Sequence, residues 1–188
     1  MGMPEYEPGK RGGAGANRQR PEIERRVDQV RASMQISVIE LQYSGLRDLA
    51  AAWQQACHDE GQSPPSRARF HPTDVAAALG RITILERVPS ELGSGHTWRY
   101  RLVGTEITMA LQAEITGKPL EHLHATLADM LRRQFDQAAS EGQPLAFTLQ
   151  ATVDHRPYGY EKIVLPVRSR PDATTDQIVV ASYPTETA

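Results

Sequence analysis

L-A-F-T-L-Q-A-T-V, residues 145–153, is the stretch on which the fold of this chain turns. Leu145, Phe147, Leu149, Ala151 and Val153 alternate with Ala146, Thr148, Gln150 and Thr152, the two-residue period of a strand with one buried face. Beyond it, the residues at 157–159 read as a turn. Ile163, Leu165 and Val167 then alternate with Lys162 and Val164, a second strand. Residues 178–183 are β-branched enough for a third strand, buried on both faces.

Working back from residue 145, the period changes to that of a helix. Leu127, Met130, Leu131, Phe135 and Ala138 form one apolar stripe. Thr126 with Asp129 reads as a variant capping box at its start, and Gly142 with Pro144 ends it. A shorter helix capped by Thr105 carries Ile107 and Leu111, with a turn at Gly117 beyond it. Strand periodicity returns before that. Ile82, Ile84 and Val88 share one face, with Thr83, Leu85 and Arg87 on the other. After the 93–95 turn, G-S-G, Trp98, Tyr100 and Leu102 alternate with Arg99, Arg101 and Val103. Two arginines cannot be buried unpaired, so the aromatic set is expected to face inward. Two strands, two or three short helices, then three strands predict an α+β fold with an antiparallel sheet.

The N-terminal third reads as helical. Ser44 caps a helix bearing Leu46, Leu49, Ala50, Trp53 and Cys57 on one face; it stops near Gly61, and Pro64-Pro65 forbids continuation. Residues 74–79 make a short helical turn after Pro72. Ile23, Val27, Val30 and Met34 recur at helical spacing, while 35–41 fits helix or strand equally. Residues 1–20, rich in Gly, Pro and Arg, hold almost nothing to bury. The expected organisation is a flexible arm over 1–20, a helical extension over 21–43 and one domain over 44–188.

Bulk properties exclude several classes. Twenty-one basic against 23 acidic residues leave a formal charge of −2, which removes the simplest argument for nucleic acid as a partner. A single cysteine forms no intramolecular disulfide, and no run of about 18 apolar residues is long enough to span a bilayer. A cytoplasmic protein without membrane or nucleic-acid partners is the expectation.

Several segments in order carry a resemblance. They are Trp53, Pro65-x-Arg67, Pro72-x-Asp74 and Leu79; R-Y-R-L-V-G-T at 99–105; I-T-G-K-P-L at 115–120; and E-K-I-V-L-P at 161–166. Together, across about residues 46–183, they resemble a bacterial group of stand-alone PAS-domain proteins. The resemblance implies a five-stranded antiparallel sheet with short helices on one face, and a small-ligand position between the two layers. It implies sensing, signal transduction or dimerisation, with no reaction catalysed. Output would then pass through a protein partner in trans or a homodimer, with the Ile23/Val27/Val30/Met34 helix as the place for it.

The ligand-lining set expected on that basis is Trp98, Tyr100, Leu102, Met109, His124, Met130, Phe147 and Leu149. Such a lining suits an apolar or aromatic ligand oriented by the Tyr100 hydroxyl and His124. The same side chains at the same spacings also make an ordinary filled core, as in a purely structural adaptor. No cofactor is specified. Flavin–thiol photochemistry in PAS relatives needs a cysteine in an N-C-R-F type segment, whereas Cys57 lies before the first core strand. Haem relatives use an axial histidine, often on the long helix, and residues 126–140 contain none. His122 and His124 lack a third ligand nearby, so no metal is expected. No catalytic residues are expected either. Asp154, His155, Arg156 and Tyr158 gather at a turn, where polar residues serve conformation. The alternative is a cone-shaped isomerase or hydratase with an apolar pocket. It would need a pocket carboxylate, and Glu106, Glu114 and Asp129 all read as solvent-facing or capping.

Overall fold

The computed structural model describes residues 27–90, 93, 95–153 and 156–185. Their backbone groups are satisfied chiefly by one antiparallel sheet with helices on both sides. In chain order the elements are β1 (Val27–Ile36), α1 (Ser44–Glu60), β2 (Ile82–Pro89), β3 (His96–Val103), α2 (Thr105–Leu111), α3 (Ala125–Glu141), β4 (Leu145–Val153), β5 (Arg156–Arg168) and β6 (Thr175–Thr185). Among the described residues the sheet has six strands in the order β1-β4-β5-β6-β2-β3. The expected α+β, antiparallel architecture is the one present, with β2 and β3 joined to β4–β6 in a single sheet.

The alternation of β4 does what its period requires. Leu145, Phe147, Leu149 and Ala151 enter the core under α3, and Ala146 faces the opposite side. α3 answers with Met130, Leu131, Phe135 and Ala138, all buried, and ends at Gly142 in the left-handed region, φ 64°. α1 packs on the other face, burying Leu46, Leu49, Ala50, Trp53 and Ala56 against Ile163, Leu165 and Val167 of β5. It ends at Gly61, φ 67°. β5 is therefore covered on both sides, and every residue from 161 to 168 is buried.

Four expectations need correction. The helix expected over 21–43 is instead strand β1 where it is described, with a short 3-10 turn at Val38–Glu40; residues 21–26, Ile23 among them, lie outside the described residues. β1 pairs with β4, whose free edge offers unpaired backbone groups to any extended neighbour. Register shifts at Val27/Gln29 and Val30/Ala32 break a strict two-residue period, which is why its apolar spacing imitates a helix. The sheet thus has a sixth strand beyond the five implied.

The second correction concerns β3. Leu85 pairs with Tyr100 and Ile84 with Leu102, so Arg101 is a bulged residue. One extra residue reverses the face, and Leu102 is 44% exposed instead of sharing the side of Trp98 and Tyr100. Third, the reversal between β4 and β5 falls earlier than 157–159. Val153 pairs with Arg156, Pro157 to Gly159 are strand, and Asp154 and His155 lie outside the described residues.

Fourth, Ser44, Thr105 and Thr126 do not cap their helices; the N-cap residues are Tyr43, Gly104 and His124, without side-chain cap bonds. α1 is capped from a distance instead. The buried carboxylate of Glu161 accepts the backbone N–H of Gln42 at 2.9 Å and of Tyr43 at 3.4 Å.

Gly104 has a different reason to be glycine: its backbone is ordinary, φ −63°, but a Cβ there would collide with the Gly80 carbonyl and lie 2.9 Å from Ile82 O. The close approach lets the Gly104 N–H donate to Ile82 O at 2.8 Å, turning the chain from β3 into α2.

Candidate functional site

Between the sheet and the α2–α3 layer lies a cavity of about 170 Å³. The sheet supplies its floor through Leu85, Tyr100, Leu149, Tyr160, Lys162 and Val180. Leu127, Leu131 and Phe135 of α3 form the opposite wall, and Ile107 and Leu111 of α2 close one side. No residue of α2 is buried, so this helix is a thin cover and not a core element. Ile115 and Leu123 complete the ring from the segment between α2 and α3.

That intervening segment is held by backbone bonds. The Tyr100 N–H donates to Lys118 O at 3.0 Å, and the Gly117 N–H donates to Tyr100 O at 2.6 Å. The I-T-G-K-P-L stretch thus covers the outer edge of β3, and Gly117 reaches it with φ 80°. Tyr100 is fixed along its backbone while its ring faces the cavity.

Outside the cavity, several polar groups near α3 are paired. The Trp98 indole N–H donates to Asp136 Oδ1 at 2.9 Å, and His96 Nε2 lies 2.9 Å from the same oxygen. Thr97 Oγ1 donates to Glu121 at 2.8 Å, and Arg132 bonds the other Glu121 oxygen at 2.5 Å. The arginine row of β3 is exposed and shares Glu86, whose carboxyl is held below its usual range by the Arg99 hydrogen bonds and by Arg101 against the upward pull of desolvation.

Lys162 has no such pairing. It is 1% exposed, and its Nζ has no hydrogen-bond partner. The rings of Phe135, Phe147 and Tyr160 stand 5.6, 5.6 and 5.8 Å from it, near enough for weak cation–π attraction. Desolvation pushes its pKa down to about 7. Burial also raises the hydroxyl pKa values of Tyr100, Tyr158 and Tyr160, so all three are neutral donors at neutral pH.

Of the residues anticipated for the lining, Tyr100 and Leu149 border the cavity. Trp98, Met130 and Phe147 are buried in the same core without bordering it. Leu102 faces away because of the bulge, and Met109 is 75% exposed on the outer side of α2. His124 is half-buried at the start of α3, where its carbonyl accepts the Ala128 N–H at 2.9 Å. The residue missed was Lys162, yet the signal was present. A lysine on the Val164 face of a strand apolar on both faces has to be buried. Among the described residues, no group of three or more His, Cys, Asp and Glu side chains is arranged to hold a metal ion.

Fold and site together define an α+β domain whose antiparallel sheet and covering helices flank a small, mostly apolar cavity. A family model described as PAS domain matches residues 41–179, and the chain belongs to that family. Domains of this family are generally sensory or regulatory modules. β1 lies before the matched span. Comparison with curated proteins gives no match, and comparison with solved structures gives none either. Among the described residues no helix is long and apolar enough to cross a membrane.

Proposed function

We propose that this chain is a non-catalytic sensor whose cavity takes up a small, largely apolar molecule and whose output runs through a protein partner or a second copy of itself. The observation that carries the reading is the cavity itself, about 170 Å³ between sheet and helices and partly open to solvent. A dry cavity of roughly 150 Å³ is enough to admit benzene. A ligand of one ring or an equivalent branched chain therefore fits.

The route outward follows α3. Leu131 and Phe135 border the cavity, and Gln134 between them donates to Ser33 Oγ on β1 at 2.8 Å. A ligand that shifts α3 therefore moves the anchor of an edge strand. β1 thus takes the place of the helix anticipated for output. An edge strand presents unpaired backbone groups to a partner chain.

An isomerase or hydratase would need an acid or base carboxylate against the substrate. Among the described residues the cavity lining carries no carboxylate; Glu106, Glu114 and Asp129 are exposed.

The test is uptake of toluene and indole by the full chain, followed by methyl chemical shifts of Leu131 and Leu149. Both probes should perturb those methyls, and Ala151→Phe, which fills the cavity, should abolish the effect. Unperturbed methyls in the unsubstituted protein would leave the filled-core adaptor as the better description.

A further inference from the structure

We infer that Lys162 is a ligand anchor and that the molecule this cavity takes is a small monocarboxylate with an apolar body of about one ring. The inference rests on the preceding reading that the cavity binds a ligand, and it names the chemical class.

The first ground is an unmatched charge. Lys162 is fully buried, borders the cavity and has no hydrogen-bond partner at Nζ. Leaving an ammonium unpaired in an apolar site is among the costlier arrangements in a protein interior. Buried and half-buried acids of the domain have partners of their own. Glu161 points to the α1 face and holds Gln42 and Tyr43. Glu60 lies 3.2 Å from Arg168, Glu121 binds Arg132, and Asp136 binds Trp98. No counter-charge for Lys162 is present among the described residues; Nζ is sealed into the cavity wall, and a bound molecule would supply the counter-charge by drawing the ammonium into the cavity.

The second ground is the shape and chemistry of that space. Its walls are predominantly Leu, Ile, Val and Phe, which select an apolar body. Ser182, the register partner of Lys162 on β6, also borders the cavity. An ammonium and a hydroxyl on one strand pair supply two kinds of donor for carboxylate oxygens. A phosphate does not suit it. One lysine leaves a doubly charged group half neutralised, and the lining contains no arginine.

The test uses the full chain and three acids, benzoate, phenylacetate and 3-methylbutanoate, each compared with its primary amide by calorimetry and by the methyl shifts of Leu131 and Leu149. At least one acid should bind about ten-fold tighter than its amide. In Lys162→Met that preference should disappear while toluene still enters. Lys162→Gln should behave likewise, which covers the case in which the methionine variant packs differently. Amides that bind as well as their acids, with toluene perturbing the same methyls, would overturn the carboxylate assignment and leave the cavity reading standing. Failure of toluene, indole and all six acid and amide probes to perturb those methyls would remove both. A carboxylate preference that survives in both lysine variants would place the anchor elsewhere and overturn the role of Lys162.

Discussion

The two faces of the sheet carry comparable apolar cores but treat buried charge in opposite ways. On the α1 face, Glu161 accepts two backbone N–H groups, and the Trp53 indole N–H donates to Pro166 O at 2.7 Å. At the β5 terminus, Arg168 Nε donates to Pro64 O at 2.8 Å, and its Nη2 lies 3.2 Å from Glu60 without an aligned hydrogen bond. Desolvation pulls the Glu60 carboxyl upward, but the Ser66 N–H and the Arg168 charge hold it below its ordinary range. On the α3 face, Lys162 has no such partner and stands beside a cavity. Neighbours in sequence, Glu161 and Lys162 differ because strand alternation sends them to opposite faces. One face pairs its buried Glu161, and the other leaves a buried lysine unpaired beside a cavity.

The largest effect expected from this contrast is a stabilisation. Lys162→Met should stabilise the ligand-free protein, by on the order of 3 kcal/mol at or below neutral pH, because it removes a desolvated charge. The pH dependence has a definite sign. With its folded pKa lowered to about 7 from 10.5, Lys162 binds fewer protons in the folded than in the unfolded chain between those values. Stability therefore rises with pH in that window, by up to about 1.4 kcal/mol per unit, and the penalty is complete below it. Above about pH 10 the buried Tyr100 and Tyr160 oppose the trend, since their hydroxyls stay protonated when folded and ionise when unfolded. Urea titrations from pH 6 to 9.5 should show the rise in the unsubstituted chain and a nearly flat line for Lys162→Met. A lysine variant with the same slope would mean that the charge is solvated.

The adjacent substitution should have the opposite sign. Glu161→Leu strands the N–H groups of Gln42 and Tyr43 at the entry to α1, and a destabilisation of about 2 kcal/mol is expected by urea denaturation. Equal signs for these two neighbours would end the distinction between the faces.

What the sequence made legible follows the same division. Periodicity located β4 and the α3 stripe, and glycine marked the ends of α1 and α3, because these depend on local geometry. β1 escaped because its conformation is imposed by the edge of β4, more than 100 residues away in sequence. Leu102 was misplaced because one bulged residue, Arg101, reverses a face without leaving any compositional mark. The residue periodicities did not show the cavity, although the family resemblance implied a ligand position between the two layers. Filled and hollow interiors use the same Leu, Ile and Phe, and only the placement of α2 and α3 over the sheet leaves space beside Lys162.

The smallest effect bears on the contact between α3 and β1. Gln134 is 7% exposed, and its Nε2 reaches Ser33 of β1, while its Oε1 has no partner. Removing the hydroxyl with Ser33→Ala should cost about 1 kcal/mol, since a buried amide then loses its acceptor. A loss that small would not by itself distinguish a strut from a signalling contact. Amide hydrogen exchange does. If α3 relays ligand binding to the edge strand, a bound probe should change protection of the β1 amides in the unsubstituted chain, and Ser33→Ala should suppress that change while α3 still responds. Suppression in β1 with retention in α3 assigns the Gln134–Ser33 bond to the relay. A β1 response that persists in the variant would instead assign it to the β1–β4 ladder, whose register runs from Val27 to Ile36 without help from α3.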